Sequence, residues 1–495
     1  MGGYFGAAVH GNCATDVFYG TDYHSHLGTM RGGLAFYGRE GFSRRIHDIT
    51  NAPFRGKFEL DYARMSEQQP FAGIGIISDY EDQPLLIKSN LGTYAIVTVG
   101  NITNLDQLAG EYFSARHGHF GMTDGHGVNP TEMAASLIDS QDSFEAGIAY
   151  VQEKIEGSLS LLVLTQRGEI YAARDRYGRT PMVLARRSGD SQDGASLPPG
   201  YAVTLESCAL PNLGFHVVRE LGPGEAVRIT PDGAETVVPP KPTLRICSFL
   251  WVYYGYPASS YEGVAAENAR NSCGAALARA AGVPGADMVS GIPDSGISYA
   301  LGYAREAGVP YGRPFVKYTP TWARSFLPPM QIKRDEIAGK KLIPIPDLIH
   351  GRNFVFCDDS VVRGTQLQEQ VRRLYDYGAR EIHMRVACPP LLYGCRFLNF
   401  SRSRSEDDLI ARRIIKEITG SKILSEAQLE AFGDPDSDEN HAMVDRICRR
   451  LGLTSLYYQR LDDLKSAIGI ADPCSLCTYC WNGKDPSPCA RHSRH

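Results

Sequence analysis

The chain has 495 residues, 43% of them hydrophobic and 22% charged, with a formal net charge of -5. That length suits two or more domains with cores of their own. The composition excludes a largely disordered chain, the charge gives no reason to expect nucleic acid, and no apolar run is long enough to span a membrane.

The opening MGGYFGAAVHGN lacks the basic region and apolar core of a secretory signal, so a cytoplasmic location is expected. Residues 2–9 read as a first strand, and residues 72–78, 94–99 and 159–165 as later ones. Helical stretches fall between them at 132–138 and 144–154. This mixture predicts a layered α/β domain to about residue 240. Residues 187–200, rich in Ser, Gly and Pro, read as a surface loop. Cys13 reads as a small buried hydrophobe. His24, His26, His117, His119 and His126 have no good ligand spacing and read as scattered core or surface residues.

The run ICSFLWVYYGYP at 246–257 marks a joint, and a helix is expected over 265–280. A strand at 288–293 runs into the turn Pro293, Asp294, Ser295, Gly296, ahead of a helix at 297–307. A serine so placed is ordinarily an N-cap, worth about 1 kcal/mol. Another strand at 315–318 carries Lys317 near its end. The segment from Thr319 to Leu342 is Pro-rich at first, basic later, and fits no one regular element.

The stretch FVFCDDSVVRGTQ, 354–366, is the most informative. Four apolar residues make a buried strand, Asp358 and Asp359 fall at its end, and a Ser-Val-Val-Arg-Gly-Thr loop leads into a helix at 366–377. That order puts the loop at the carboxyl edge of a parallel sheet, where ligands bind. Backbone N–H groups of residues 363–365, the Thr365 hydroxyl and the helix N-terminus suit a phosphate. The two acids suit a pair of ribose hydroxyls, or a metal bridged to them. A strand-to-helix turn with solvated acids is the plainer alternative.

Beyond residue 400, helical patches lie at 406–418 and 439–450. Near the end comes CSLCTYCWNGKDP, 474–486. A cluster such as Cys474, Cys477 and Cys480, in a chain with no export signal, points to metal rather than disulfides.

The 354–366 stretch closely resembles the phosphoribosyl pyrophosphate (PRPP) loop of type I phosphoribosyltransferases. Nearly the whole chain is similar to the glutamine PRPP amidotransferase family. The segments GGYFGAA, MRGG (30–33), VGN (99–101), ARDRYGRTP (173–181), TLESCAL (204–210) and LGPGEAVRI (221–229) resemble the N-terminal-nucleophile glutaminase domain of class II amidotransferases. The resemblance implies an α/β protein: an αββα layered glutaminase-like domain (1–240), a type I phosphoribosyltransferase domain with a parallel sheet (241–400), and a helical segment with the cysteine cluster (401–495).

The family's nucleophile is a cysteine at the mature N-terminus, and here Gly2 stands in its place. The family's glutamine-holding arginine falls near Ile76 or Ile77, its oxyanion Asn is Val99, and its amine-binding Asp is Pro130, while Arg31, Gly100 and Asn101 remain. A glutaminase half that keeps its fold without its reaction is therefore expected.

For the second half the resemblance implies catalysis by Lys317, Arg324, Asp358 and Asp359. It implies substrate binding by Asp294, Ser295, Gly296, Asp358, Asp359, Ser360, Val361, Val362, Arg363, Gly364, Thr365 and Lys341. Mg2+ is expected on Ser295, Asp358 and Asp359. A [4Fe–4S] cluster is expected on Cys247, Cys395, Cys477 and Cys480, with zinc the alternative for four thiolates and Cys474 able to replace Cys477. The reaction implied is formation of 5-phosphoribosylamine from PRPP and ammonia, the first step of purine synthesis, in a homo-oligomer, with ammonia free or supplied by a partner glutaminase. Transfer to another amine and a non-catalytic regulatory PRPP-binding role stand as alternatives, because Tyr256 and residues 318–320 depart from the family pattern.

Overall fold

The computed structural model describes residues 2–116, 120–121, 127–189, 197–318, 342–398, 406–421 and 424–484. It divides into two compact units. The first is Met1–Cys247 with Cys395–Ser401, and the second is Ser248–Gly394 with Arg402–His495.

In the first unit, chain order gives β1 (Gly3–Val9), α1 (Ala14–Asp22), β2 (Arg31–Gly38), β3 (Gly41–Asp48), α2 (Phe54–Glu67), β4 (Ala72–Ser78), β5 (Leu85–Ser89) and β6 (Gly92–Ile102). Then come α3 (Leu105–Arg116), α4 (Pro130–Ile138), α5 (Phe144–Lys154), β7 (Gly157–Thr165), β8 (Ile170–Ala173), β9 (Val183–Arg187), β10 (Gly200–Thr204), β11 (His216–Glu220), β12 (Ala226–Ile229) and β13 (Ala234–Val238). The strands form two sheets, ordered β11-β9-β10-β1-β4-β2-β3 and β13-β12-β8-β7-β6-β5.

Strand alternation sets the layers. Phe5, Ala7 and Val9 of β1 join Leu34, Phe36 and Ile77 in a core with Val17 and Phe18 of α1 and Phe54 and Phe58 of α2. Tyr94, Ile96, Leu161 and Val163 of the second sheet pack with Met133 and Ile138 of α4 and Ile148 and Val151 of α5. The opposite faces of the sheets meet: a side chain at Gly6 would touch Leu162 and Ile74. The layers are helix, sheet, sheet, helix. The segment ARDRYGRTP makes a structural turn, with the buried Arg174 guanidinium donating to Thr180 O and Gly178 O, both at 2.8 Å. Cys13 is fully buried, as expected of a small hydrophobe.

The second unit is built on a parallel four-stranded sheet. In spatial order the strands are Met288–Gly291, Asn353–Asp358, Glu381–Val386 and Ser455–Tyr458. Phe354, Val355, Phe356 and Cys357 are all buried, as a strand covered on both faces requires. Helices Ala266–Ala281 and Ile297–Ala307 cross with their backbones almost touching. A side chain at Gly274 would strike Tyr299 O, and one at Gly302 would strike Asn271 O.

Residues 246–257, the joint, do not form a long strand. Ile246–Cys247 is a two-residue strand in the first unit, and in the second unit Leu250–Tyr254 is a π-helical turn. The reason lies in a neighbour that local patterning does not reveal. Arg270, 4% exposed, donates to Trp251 O (2.7 Å), Gly255 O (2.7 Å) and Tyr253 O (3.1 Å) and gathers those carbonyls into a turn. Tyr299 OH adds a bond to Val252 O at 2.7 Å. No described helix is long and apolar enough to cross a membrane.

Candidate functional site

Asp358 ends the strand Asn353–Asp358, and the helix Thr365–Asp376 begins seven residues later. Gly364 caps that helix with φ +78°, a conformation that disfavours any Cβ, and a side chain there would also press on Ile410 Cδ1. The loop between is held from behind. Ile410 N donates to Val362 O at 2.7 Å, and Arg413 Nη2 donates to Arg363 O at 2.5 Å. With its carbonyls engaged on that side, the loop keeps its amides available. Among the described residues, no hydrogen bond takes up the backbone N–H groups of residues 360–364. Amides so disposed, ahead of a helix N-terminus, form an anion cradle.

The acids are not solvated turn residues. Asp359 is 5% exposed, and Asp358 keeps only partial access to solvent. Ser295 Oγ donates to Asp358 Oδ1 at 2.9 Å, and Ser360 Oγ donates to Asp359 Oδ1 at 2.5 Å. Burial, and then the charge of Asp359 beside it, push the Asp358 carboxyl well above the usual range. Burial also raises Asp359, against the pull of the Ser360 hydroxyl. Two crowded carboxylates with a hydroxyl beside them are a hard-oxygen donor set, which suits Mg2+.

Ser295 corrects the N-cap reading. The helix Ile297–Ala307 is capped at Gly296 with no side-chain hydrogen bond, and Ser295 turns instead to the acid pair. The turn is clamped to the end of the acidic strand, since Ile292 N donates to Cys357 O at 3.0 Å. A Cβ at Gly296 would collide with Cys357 O. Exposed Asp294 accepts from Lys317 Nζ at 2.5 Å, which brings the cation of the strand Phe315–Lys317 to the same turn. Arg363 points out and pairs with Asp408 at 3.2 Å. Thr365 is exposed at the start of its helix. Arg324 and Lys341 lie outside the described residues. Two supports were missed in the sequence: Arg270, whose charge favours the ionised form of Asp359, and the helix Ile410–Thr419 behind the loop. Neither has a local signal, because each acts across a long stretch of chain.

In the first unit, Gly2 is buried, and a Cβ there would collide with Ile77 O. Ile76, Ile77 and Val99 are buried and apolar. Arg31 is matched to carboxylates of Asp48 and Asp82. Beside Val99 and Pro130, Gln83 bridges the backbone of Thr98, donating to its O (3.1 Å) and accepting from its N (2.7 Å). Asn101 Nδ2 donates to Arg396 O at 2.8 Å. His24 is fully buried and His26 meets Glu206 Oε1 at 3.1 Å, while His117, His119 and His126 lie outside the described residues.

Cys247 and Cys395 belong to the first unit, Cys477 and Cys480 to the second. Cys474 is exposed. Among the described residues, no group of three or more His, Cys, Asp or Glu is arranged to hold a metal.

Comparison with known proteins decides the family. A model of glutamine amidotransferase domains matches residues 72–197. The amidophosphoribosyltransferase of Synechococcus elongatus is 30% identical over 411 residues, covering 82% of this chain and 74% of that protein. The chain belongs to the amidophosphoribosyltransferase family. The amidophosphoribosyltransferase of Methanocaldococcus jannaschii is 28% identical over 503 residues, 96% of this chain and 95% of that one. The solved glutamine PRPP amidotransferase of B. subtilis, complexed with ADP and GMP, superposes with a TM-score of 0.80 at 26% identity, covering 97% and 96% of the two chains. The amidophosphoribosyltransferases are pentosyltransferase enzymes, and their fold is the one expected: a glutaminase-like layered domain followed by a type I phosphoribosyltransferase domain.

Proposed function

We propose that this chain forms 5-phosphoribosylamine from PRPP and ammonia, the entry step of purine synthesis, and that its first half no longer hydrolyses glutamine. The observation that carries the reading is the meeting of Ser295 with Asp358 at the mouth of a loop whose amides are unclaimed. The 5-phosphate would sit on the amides of residues 360–364 and the Thr365 hydroxyl. Asp358 and Asp359 would take the ribose hydroxyls and stabilise positive charge on the ring as the C1–oxygen bond breaks. Lys317, released from Asp294, would meet the departing pyrophosphate, with Arg324 and Lys341 completing its cationic surroundings. Mg2+, held by Ser295, Asp358 and Asp359, would supply charge neutralisation on the same group. Ammonia attacks directly, so no protein nucleophile is required.

Gly2, with Ile77 O in the space a side chain needs, supports a silent glutaminase half, as do the apolar residues at 76, 77 and 99. The cluster on Cys247, Cys395, Cys477 and Cys480 rests on resemblance alone, with zinc the alternative. The protein is read as a cytoplasmic homo-oligomer, its ammonia free or supplied by a partner glutaminase.

The test is pyrophosphate release from PRPP with Mg2+. Release with ammonia and none with glutamine supports the reading; no release with any amine overturns it. Tyr256 and Tyr318, 47% and 41% exposed, favour a second reading in which another amine is the acceptor. Release that depends on that amine and not on ammonia would select it. Tight PRPP binding without turnover would mark a regulatory protein instead.

A further inference from the structure

The strand Glu381–Val386 carries Glu381 and His383 two residues apart, so both side chains stand on one face of the sheet. The neighbouring parallel strand sets Ser455 opposite His383. Hydrogen bonds join the three. Glu381 Oε2 lies 3.2 Å from His383 Nε2, and His383 Nδ1 lies 2.8 Å from Ser455 Oγ. A carboxylate can only accept, so Nε2 carries the ring proton and Nδ1 is the acceptor. The Ser455 hydroxyl therefore donates to Nδ1. Arg385 Nη1 donates to the same Ser455 oxygen at 3.1 Å, and its charge favours the negative charge that oxygen gains on losing a proton. An acid, a histidine and a serine, each within reach of the next, are the parts of an activated nucleophile.

The group stands at an opening. Ser455 is part-buried and lines a cavity of about 950 Å³ in the second unit, and none of residues 294–296 or 358–365 lines it. Ser455–Tyr458 is the edge strand of its sheet. Thr454 N donates inward to Ile382 O at 2.8 Å, so strand alternation turns the Ser455 N–H outward, where it can donate to an oxyanion. His383 is 4% exposed, and burial brings its pKa below the ordinary value against the pull of Glu381. The ring is thus neutral at neutral pH and able to take a proton. Cys448 also lines the cavity, but burial pushes its thiol up, and its Sγ donates to Leu453 O at 3.4 Å. Val444, Leu456 and Leu461 give the wall apolar surface, and the Asp434 carboxylate disfavours an anion.

We propose that Ser455, His383 and Glu381 form a hydrolytic site for uncharged carboxylic esters with an apolar acyl group. Ser455 Oγ attacks the carbonyl carbon while its proton passes to His383 Nδ1. The bond from that carbon to the alcohol oxygen breaks, the alcohol takes the proton, and the acyl group stays on Ser455. Water then attacks the acyl-serine and gives a proton to His383. His383 returns it to Ser455 Oγ as the carboxylic acid leaves. Glu381 acts through the histidine, as a positioning residue. The site is separate from the sugar-phosphate loop and independent of the reaction proposed there.

The test treats the full chain with an uncharged alkyl fluorophosphonate, maps the label by mass spectrometry, and follows hydrolysis of p-nitrophenyl butyrate in parallel. A single label on Ser455 is expected, with hydrolysis lost as the label enters. Ser455→Ala and His383→Gln should each hydrolyse the ester at least about 100-fold more slowly than the parent. Glu381→Gln should slow labelling about tenfold, and Glu381→Asp should recover most of the rate, which a role in packing alone would not give. No label on Ser455, a label on Cys448 in its place, or hydrolysis that survives Ser455→Ala would each overturn the proposal. The first two are read on the parent chain, where a variant's failure to fold plays no part.

Discussion

Glycine at position 2 leaves no thiol where the family's nucleophile belongs, and Ile77 O takes the room a side chain would need. Restoring the cysteine should therefore not restore the reaction. Gly2→Cys is expected to release no glutamate from glutamine, to resist a glutamine-derived electrophile, and to melt at lower temperature than the parent. Rapid covalent labelling would refute this. Asp358, on the function proposed above, acts through its ionised form, which a bound Mg2+ would favour. Asp358→Asn should lower the rate of pyrophosphate release by about 100-fold or more, with the fold retained, as measured with PRPP, Mg2+ and ammonia.

His24 offers a pH test at the same scale. Its Nδ1 lies 2.7 Å from Gly20 O, so Nδ1 carries the proton, and Nε2 accepts from Glu206 N at 3.1 Å. Burial brings its pKa down to about 4, against the opposing charge of Glu206 and with a small push from His26. The unfolded chain thus binds the proton more readily, at an ordinary value near 6.5. The stabilisation is complete above pH 6.5 and is lost as pH falls toward 4, to a total of about 3 kcal/mol. Denaturant titrations at pH 7 and pH 4.5 should show this difference, and His24→Gln should flatten it.

At the scale of elements, the site depends on how a loop and a turn are held. Gly364 must adopt a positive φ beside Ile410. Gly364→Ala should cost about 1–2 kcal/mol from the backbone alone. It should also raise the KM for PRPP more than it lowers kcat, since the anion cradle moves and the acids do not. Equal KM values for parent and variant would count against the cradle. Arg270 works differently, by collecting the carbonyls of residues 251–255. Arg270→Met leaves buried acceptors without partners, and a loss of about 3 kcal/mol in stability is expected from denaturant melts. An unchanged melt would mean that the π-helical turn stands without it.

At the scale of the whole molecule, iron and acid-labile sulfide in protein purified without oxygen would decide the cluster. Four irons and four sulfides per chain are expected on the resemblance; stoichiometric zinc, or no metal, would overturn it. The sequence by itself determined the pieces that depend on neighbouring residues. The buried strand ending in Asp358 and Asp359, the glycine turn into a helix and the buried run from Gly3 are local patterns, and burial follows from them. It also determined that Gly2 has no thiol to offer. Only the tertiary structure decided which distant groups meet. Ser295 binds Asp358 across 63 residues, where local chemistry alone would have made it a helix cap. Arg270 gathers the carbonyls of the joint into a π-helical turn, and Ile410 and Arg413 grip the back of the loop at 362–363. These contacts join groups far apart in the chain, and neither periodicity nor propensity carries information over that distance.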